Sequence, residues 1–259
     1  MQQQTYNGLP PEYIDNRAER KIGGWEYDSH IYNGYNFANL KVSERNLKIR
    51  MAFVRKVFSI LFAQISLSTA VAGLMMHNSI IKSWVQSHGW VIYIVSILTF
   101  ALLFALQVNH RSYPTNFALL AAFTLAESYT VGTVVTYYDY NAVLRTLIVT
   151  SGLFIGIVLY TLQSEYDFSG MFPLLYNSLL IILGISIAGI YIPFSGVFDF
   201  IFTIICIMIF CGFIAFDTFT VMTTKHPEEY ILAAVELYLD FINLFLRILK
   251  ILNNSRRDD

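Results

Sequence analysis

Apolar residues form long blocks along the chain from about residue 51 onward, separated by short polar or proline-containing connections. Each block is about 20 residues long, which a helix rising about 1.5 Å per residue needs to cross roughly 30 Å of hydrocarbon. Short connections are typical of antiparallel neighbours in one bundle. The pattern therefore predicts an all-α, polytopic membrane protein with a seven-helix bundle. The predicted spans are 52–76, 86–108, 115–138, 142–162, 173–192, 198–222 and 230–250.

The seventh segment differs from the others because it contains a regular set of polar residues. Glu236, Asp240, Asn243 and Arg247 are spaced 4, 3 and 4 residues apart, which places them in one stripe along a helix. A charged group at the centre of a bilayer costs about 2.5 to 3.5 kcal/mol on insertion scales, so the stripe should face protein or water. We therefore predict that the last helix is central. The stripe either pairs internally, with Arg247 bonded to an acid, or lines a cation path.

The chain outside these segments predicts two tails. Residues 1–44 are rich in Gln, Asn, Gly, Tyr and Pro without a helical or strand period, and we expect a disordered cytosolic tail. Residues 45–252 form the seven-transmembrane domain, and 253–259 form a short polar tail. No short hydrophobic segment precedes the first span, so we expect that span, and not a cleaved signal peptide, to direct the chain to the membrane.

Basic residues indicate the orientation. Nine of the seventeen Lys and Arg lie in the first 56 residues, many of them immediately before the first span, and this placement predicts a cytosolic N-terminus. Seven spans then carry Lys250, Arg256 and Arg257 to the far side, against the same rule. A re-entrant last segment would keep them in the cytosol. We favour seven spans.

Composition narrows the function classes. The chain is 56% hydrophobic and 14% charged, whereas soluble domains are about 25% charged, so we expect a membrane protein and neither an enzyme nor a cofactor protein. The net charge of −1 without a basic patch argues against a nucleic-acid partner. Cys206 and Cys211 lie in an apolar run, where we expect them to be packing residues.

Two acids stand on neighbouring segments. If the last turn lies near residues 225–227, Asp217 and Asp240 differ in depth by about five residues, or about 7 Å, which tilt and side-chain reach can close. Two carboxyl groups at so short a distance do not both ionise easily, so the pair is expected to share a proton and titrate as a unit. The deprotonated pair is also a candidate transient Ca²⁺ site. Glu127, in the third span, is either pore-lining or a structural hydrogen-bonding residue.

Several motifs together resemble the Bax-inhibitor or lifeguard family, the transmembrane Bax inhibitor motif-containing proteins. The resemblance covers about residues 45 to 252, and the run in the last segment is its most specific part. The matching motifs are Phe123-Thr124, Ser128, Val131-Gly132, Asp217-Thr218, Pro227-Glu228-Glu229-Tyr230-Ile231 and Leu237-Tyr238-Leu239-Asp240-Phe241-Ile242-Asn243-Leu244-Phe245-Leu246.

The resemblance implies a last helix between two layers of three helices, in an intracellular membrane. It also implies that Asp217 and Asp240 are the pH-sensing pair of the family. In bacterial relatives, an arginine at the end of the second helix binds that pair and acts as a latch. Arg111 is the nearest candidate latch here, although it is displaced by a residue or two, and the alternative is a plain cytosolic anchor.

The expected function is a pH-sensitive Ca²⁺ leak channel of the endoplasmic reticulum membrane, which lowers store calcium and moderates stress-induced cell death. The alternatives are a non-conducting scaffold, which regulates apoptosis and unfolded-protein-response signalling through death-pathway or stress-sensor membrane proteins, and a Ca²⁺/H⁺ exchanger. Vacuolar, Golgi and mitochondrial membranes stay open as locations. An intramembrane aspartyl protease is disfavoured, because bulky Leu239 stands before Asp240 where that chemistry uses a Gly-x-Gly-Asp motif.

Overall fold

The computed structural model describes residues 47–192, 196–223, 225–226 and 228–254. Both predicted tails therefore lie outside the described residues for most of their length. The described chain is helical, without a strand. Its elements are α1 Leu47–His77, α2 Ser79–Ser87, α3 Val91–Asn109, α4 Thr115–Val135, α5 Tyr140–Gln163, a 3-10 turn Phe168–Met171, α6 Phe172–Tyr191, α7 Gly196–Thr223 and α8 Tyr230–Asn254.

Seven of these helices correspond to the seven predicted spans. Among the described residues, α1, α3, α4, α5, α6 with its preceding 3-10 turn, and α7 are long and apolar enough to cross a membrane. Helix α8 is long enough but carries the charged stripe, so composition alone does not identify it as a span. The all-α, polytopic membrane class is confirmed.

The predicted second span begins too early. Residues 79–87 form a separate helix, α2, and α3 begins only at Val91. Asn78 starts α2, because its side-chain oxygen accepts hydrogen bonds from the backbone N–H groups of Ile80 (3.0 Å) and Ile81 (3.3 Å). Helix α2 buries Val85, and Gln86 donates a hydrogen bond to the Thr136 carbonyl (2.9 Å). The sequence interpretation had placed a loop here.

Contacts between helix ends define two ends of the bundle. At one end, Lys56 of α1 lies 3.3 Å from the ring centroid of Tyr230 at the start of α8, and Phe117 near the start of α4 packs on the same ring. We call this the Lys225 end, after the α7–α8 connection. At the other end, Lys250 of α8 lies 2.6 Å from Asp199 of α7, and we call this the Asp199 end.

Helix α8 runs from the Lys225 end to the Asp199 end. A re-entrant segment would bring its two ends back to the same level, whereas the Lys250–Asp199 ion pair places the end of α8 beside the start of α7. Helix α8 therefore crosses the bundle as completely as α7 does. Arg256 and Arg257, which made the topology uncertain, lie outside the described residues.

The last helix is central, as predicted. Helix α4 contacts α1 and α3 on one side, and α7 contacts α5 and α6 on the other, while α8 contacts members of both groups, namely α1, α4, α5 and α7. Most of its side chains are buried, including Leu237, Tyr238 and Leu244, which are fully enclosed. Within the polar stripe of α8, Asp240 is buried, and Glu236, Asn243 and Arg247 are half-buried.

Candidate functional site

The structure brings the carboxyl groups of Asp217 on α7 and Asp240 on α8 close enough to influence each other electrostatically. Asp240 is buried and Asp217 is half-buried. An ionised carboxylate only accepts hydrogen bonds, so the two groups can bond each other only when one of them holds a proton. Asp240 Oδ2 is buried and has no hydrogen-bond partner among the described residues. The pair therefore has room for one more hydrogen-bonding partner.

Glu236 lies one helical turn before Asp240 on α8, close enough to influence both aspartates electrostatically. Its Oε1 atom accepts a 2.7 Å hydrogen bond from Lys225 Nζ, and the Lys225 side chain is only 17% exposed. The pairing of Arg247 with an acid, which was one of the two alternatives for the stripe, is not found among the described residues. Lys225, in the α7–α8 connection, is the cation beside the acidic cluster, which we define as Asp217, Asp240 and Glu236.

Arg247 and Asn243 take other partners. The guanidinium carbon of Arg247 lies 5.6 Å from the ring centroid of Phe202 on α7. Glu236 and Arg247 are eleven residues apart, or about 16 Å along a helix, too far for a direct pair. Asn243 donates a hydrogen bond to the Leu239 carbonyl of its own helix (2.9 Å). Asn243 and Arg247, the two stripe residues nearer the Asp199 end, are therefore not joined to the acidic cluster by a direct side-chain bond among the described residues.

Arg111 does not contact the aspartate pair in this structure. It lies in the α3–α4 connection, 3.7 Å from a carboxylate oxygen of Glu228 and 3.8 Å from one of Glu229. Both the Arg111 and Glu228 side chains are largely exposed. The geometry agrees with the alternative interpretation of Arg111, an anchor at the Lys225 end, and the latch stays a prediction.

Glu127 lies half-buried on α4, close enough to Tyr238 of α8 to influence it electrostatically. Tyr238 belongs to a group of buried hydroxyl and amide side chains that the sequence interpretation missed. We call this group the hydroxyl cluster; it comprises Gln64 and Ser68 of α1, Thr124 and Ser128 of α4, and Tyr238 of α8.

The hydroxyl cluster joins three helices. Gln64 Nε2 donates to Thr124 Oγ1 (3.1 Å), and Ser68 Oγ lies 2.8 Å from Ser128 Oγ and 2.7 Å from the Tyr238 hydroxyl. Gln64 Oε1 is buried without a partner among the described residues. Polar residues four positions apart in both α1 and α4 were the sequence signal for this cluster, because such residues share one helical face.

The two aspartates are the candidate Ca²⁺ ligands. Among the described residues, no three His, Cys, Asp or Glu side chains are arranged to hold a metal ion. Two carboxylates supply at most four oxygens, whereas Ca²⁺ takes 6 to 8, so an ion at this pair would keep water ligands. That donor set suits a passing ion better than a tightly held one.

Outside the membrane-spanning segments, Asp167 begins the 3-10 turn and is a useful contrast. Its carboxylate accepts a 2.8 Å hydrogen bond from the Ser169 backbone N–H, and the bonds from Ser169 hold the pKa of Asp167 below its usual value. Asp167 therefore stays ionised through the neutral range. Cys206 and Cys211 are free thiols, buried and half-buried respectively, in line with the predicted packing role.

Comparison with known proteins connects this arrangement to a family. Residues 50–257 match a family described as "Inhibitor of apoptosis-promoting Bax1". The chain is similar to "Bax inhibitor 1" of Schizosaccharomyces pombe, with 36% identity over 218 residues, covering 84% of this chain and 82% of that protein.

Two further relatives come from a mammal and a virus. "Protein lifeguard 4" of Mus musculus is 37% identical over 224 residues, which cover 86% of this chain and 93% of that protein. "Golgi anti-apoptotic protein" of Vaccinia virus (strain Lister) is 35% identical over 229 residues, which cover 88% of this chain and 96% of that protein. The similarity includes nearly all of the described helices.

Proposed function

Because this chain belongs to the Bax inhibitor family of multi-pass membrane proteins, we propose that it is a pH-sensitive Ca²⁺ leak channel of an intracellular membrane. The leak lowers store calcium and thereby moderates stress-induced cell death. The observation that carries the proposal is the neighbouring pair of carboxyl groups inside the bundle, Asp217 on α7 and the buried Asp240 on the central helix α8.

Proton and ion compete at this pair. A protonated pair carries less negative charge and offers fewer free oxygens, so it binds a divalent cation more weakly than the deprotonated pair does. Glu236 adds a third carboxylate to the cluster, while Lys225 offsets part of the negative charge. The acidic cluster thus provides both a cation-attracting site and a proton-dependent control over it.

The link to cell death rests on the relatives. The matched family and the vaccinia relative are named for inhibiting apoptosis. We propose the same role for this chain, with the endoplasmic reticulum membrane as its location. The name of the vaccinia relative places that protein in the Golgi, which makes the Golgi membrane the alternative location.

A non-conducting scaffold is the second candidate function. The names of the matched family and of the three relatives above mention cell death, Bax or protection and do not mention ion transport. A scaffold would regulate apoptosis and unfolded-protein-response signalling by binding death-pathway or stress-sensor membrane proteins. The acidic cluster would then be interhelical glue.

Reconstitution of the pure protein separates these functions. Liposomes loaded with a Ca²⁺ indicator should show flux for the wild-type chain, and the flux should lose its pH dependence in the double variant Asp217→Asn, Asp240→Asn. Asp167→Asn is the matched control, because it removes a carboxylate that stays ionised at neutral pH. Absence of wild-type flux without partners would favour the scaffold. A stoichiometric proton counterflow would indicate Ca²⁺/H⁺ exchange.

A further inference from the structure

An apolar groove of about 150 Å³ lies between α1 and α5. Its wall is formed by Ala72 of α1, Val131 and Val135 of α4, and Phe241 and Phe245 of α8, all of them buried. The groove therefore reaches from the surface of the bundle to the central helix.

The rim of the groove faces the bilayer. Thr69 of α1 and Leu144 of α5 are exposed, and each lies within a helix long and apolar enough to cross a membrane. The groove is thus continuous with the lipid-facing surface of the protein. A molecule that enters the groove through this rim therefore comes from the hydrocarbon of the membrane.

The chemistry of the lining selects an apolar occupant. No charged side chain lines the groove, and its hydroxyls come from Ser68, Thr69 and Tyr140. The Ser68 hydroxyl is already bonded to Tyr238 and Ser128. A polar ligand would be buried without partners, at a cost of about 1 to 3 kcal/mol per group. Apolar walls of this kind exclude water and accept hydrocarbon.

Tyr140 marks where the groove meets the membrane surface. It is the first residue of α5, at the Asp199 end, and 54% of its surface is exposed. Tyrosine is enriched at this level of a bilayer because its ring is apolar while its hydroxyl reaches polar headgroups. A lipid headgroup beside Tyr140 would let one chain of that lipid point down the groove.

We propose that the groove binds part of one acyl chain of a membrane lipid from the leaflet at the Asp199 end, with the lipid headgroup beside Tyr140. The chain lies against Phe241, which directly follows Asp240 on α8. The central helix is therefore packed partly against lipid. This inference does not depend on ion conduction.

Filling the groove provides the first test. Gly73 lines the groove, and a Cβ atom at this position meets nothing within 4 Å, so Gly73→Phe introduces a bulky apolar side chain into the groove from an uncrowded backbone position. Gly156, on the exposed face of α5, also has open space around it, and Gly156→Phe is the matched control. Helix content and thermal unfolding establish that both variants fold.

Native mass spectrometry of the purified protein measures the lipid that survives detergent extraction. We expect one phospholipid per wild-type chain, the same for Gly156→Phe, and at least a fivefold lower occupancy for Gly73→Phe. Equal lipid retention by wild type and Gly73→Phe would overturn the proposal.

A photoreactive phospholipid with a diazirine on its acyl chain tests the same site in vesicles without any variant. Labelling should concentrate on residues 65–76, 140–147 and 241–245 and should decline with excess unlabelled lipid. Labelling confined to the outer faces of α3 and α6, without saturation, would indicate bulk lipid only. A disulfide joining two copies through Thr69→Cys or Leu144→Cys would show that a second chain fills the groove, which would also refute the proposal.

Discussion

The hydroxyl of Tyr238 lies 2.7 Å from Oγ of Ser68, a residue 170 positions earlier in the chain. Tyr238 is fully buried, and Ser68 donates to the Gln64 carbonyl of its own helix (2.9 Å). The bond therefore ties the central helix to α1 at a point where water has no access. The bond also limits the rotation of α8 about its axis. Because Asp240 is only two residues further along α8, this limit also applies to the position of Asp240.

Tyr238→Phe should lower the thermal stability of the detergent-solubilised protein. The variant keeps the ring and removes the donor to Ser68, and single interhelical hydrogen bonds in membrane proteins contribute about 0.6 to 1.7 kcal/mol. A double-mutant cycle with Ser68→Ala should give a coupling energy in that range. Tyr160→Phe, at an exposed site on α5, is the control. Additive effects of the two substitutions would show that this bond contributes nothing to stability.

Ca²⁺ affinity should fall on acidification in the wild-type protein. Protonation of the Asp217–Asp240 pair removes negative charge and ligand oxygens, so proton and ion exclude one another. Binding measured in detergent at several pH values should show this dependence, which should largely disappear in the double variant Asp217→Asn, Asp240→Asn. Asp167→Asn should behave as wild type, because Asp167 is ionised across this range. Affinity independent of pH in the wild type would mean that the two carboxyl groups are structural.

Lys225→Gln should tighten Ca²⁺ binding. Lys225 pairs with Glu236, whose side chain is 38% exposed, and offsets the charge of the acidic cluster. Loss of a salt bridge with a partly exposed partner corresponds to about 0.2 to 1 kcal/mol, or up to about fivefold in affinity. Lys82→Gln, on exposed α2 at the Asp199 end, is the matched control. Unchanged or weaker Ca²⁺ binding in Lys225→Gln would show that the charge of Lys225 does not oppose Ca²⁺ binding at the acidic cluster.

The topology prediction concerns the C-terminus. Helix α8 ends beside Asp199, so seven crossings place the tail on the side opposite the N-terminus. The native sequon Asn253-Asn254-Ser255 is too near the last helix to be a good acceptor, and a spaced sequon added after Asp259 should be glycosylated in endoplasmic reticulum membranes.

A second sequon, inserted in the α4–α5 connection at residues 136–139, serves as the positive control for that experiment. A glycan on the control but not on the C-terminal sequon would place the tail in the cytosol. That result would require a rearrangement of α8 relative to α7 in the membrane.

The sequence by itself determined the class of fold, the approximate spans and the central position of the last helix. These features follow from hydrophobicity and from the 3.6-residue period, which are local properties that add along the chain. The same period placed Glu236 and Asp240 on one face. Counting residues from the connection between the last two helices placed Asp217 at nearly the same depth in the membrane as Asp240. The aspartate pair could therefore be predicted from the sequence.

Only the tertiary structure decided which groups meet. Lys225 pairs with Glu236, and Arg111 pairs with Glu228 and Glu229, because the connections at the Lys225 end bring these side chains together in a way that helical period does not specify. The Ser68–Tyr238 bond depends on how α1 and α8 are rotated about their axes. Side-chain pairing between helices is set by that rotation and by packing distance, neither of which a single sequence encodes locally.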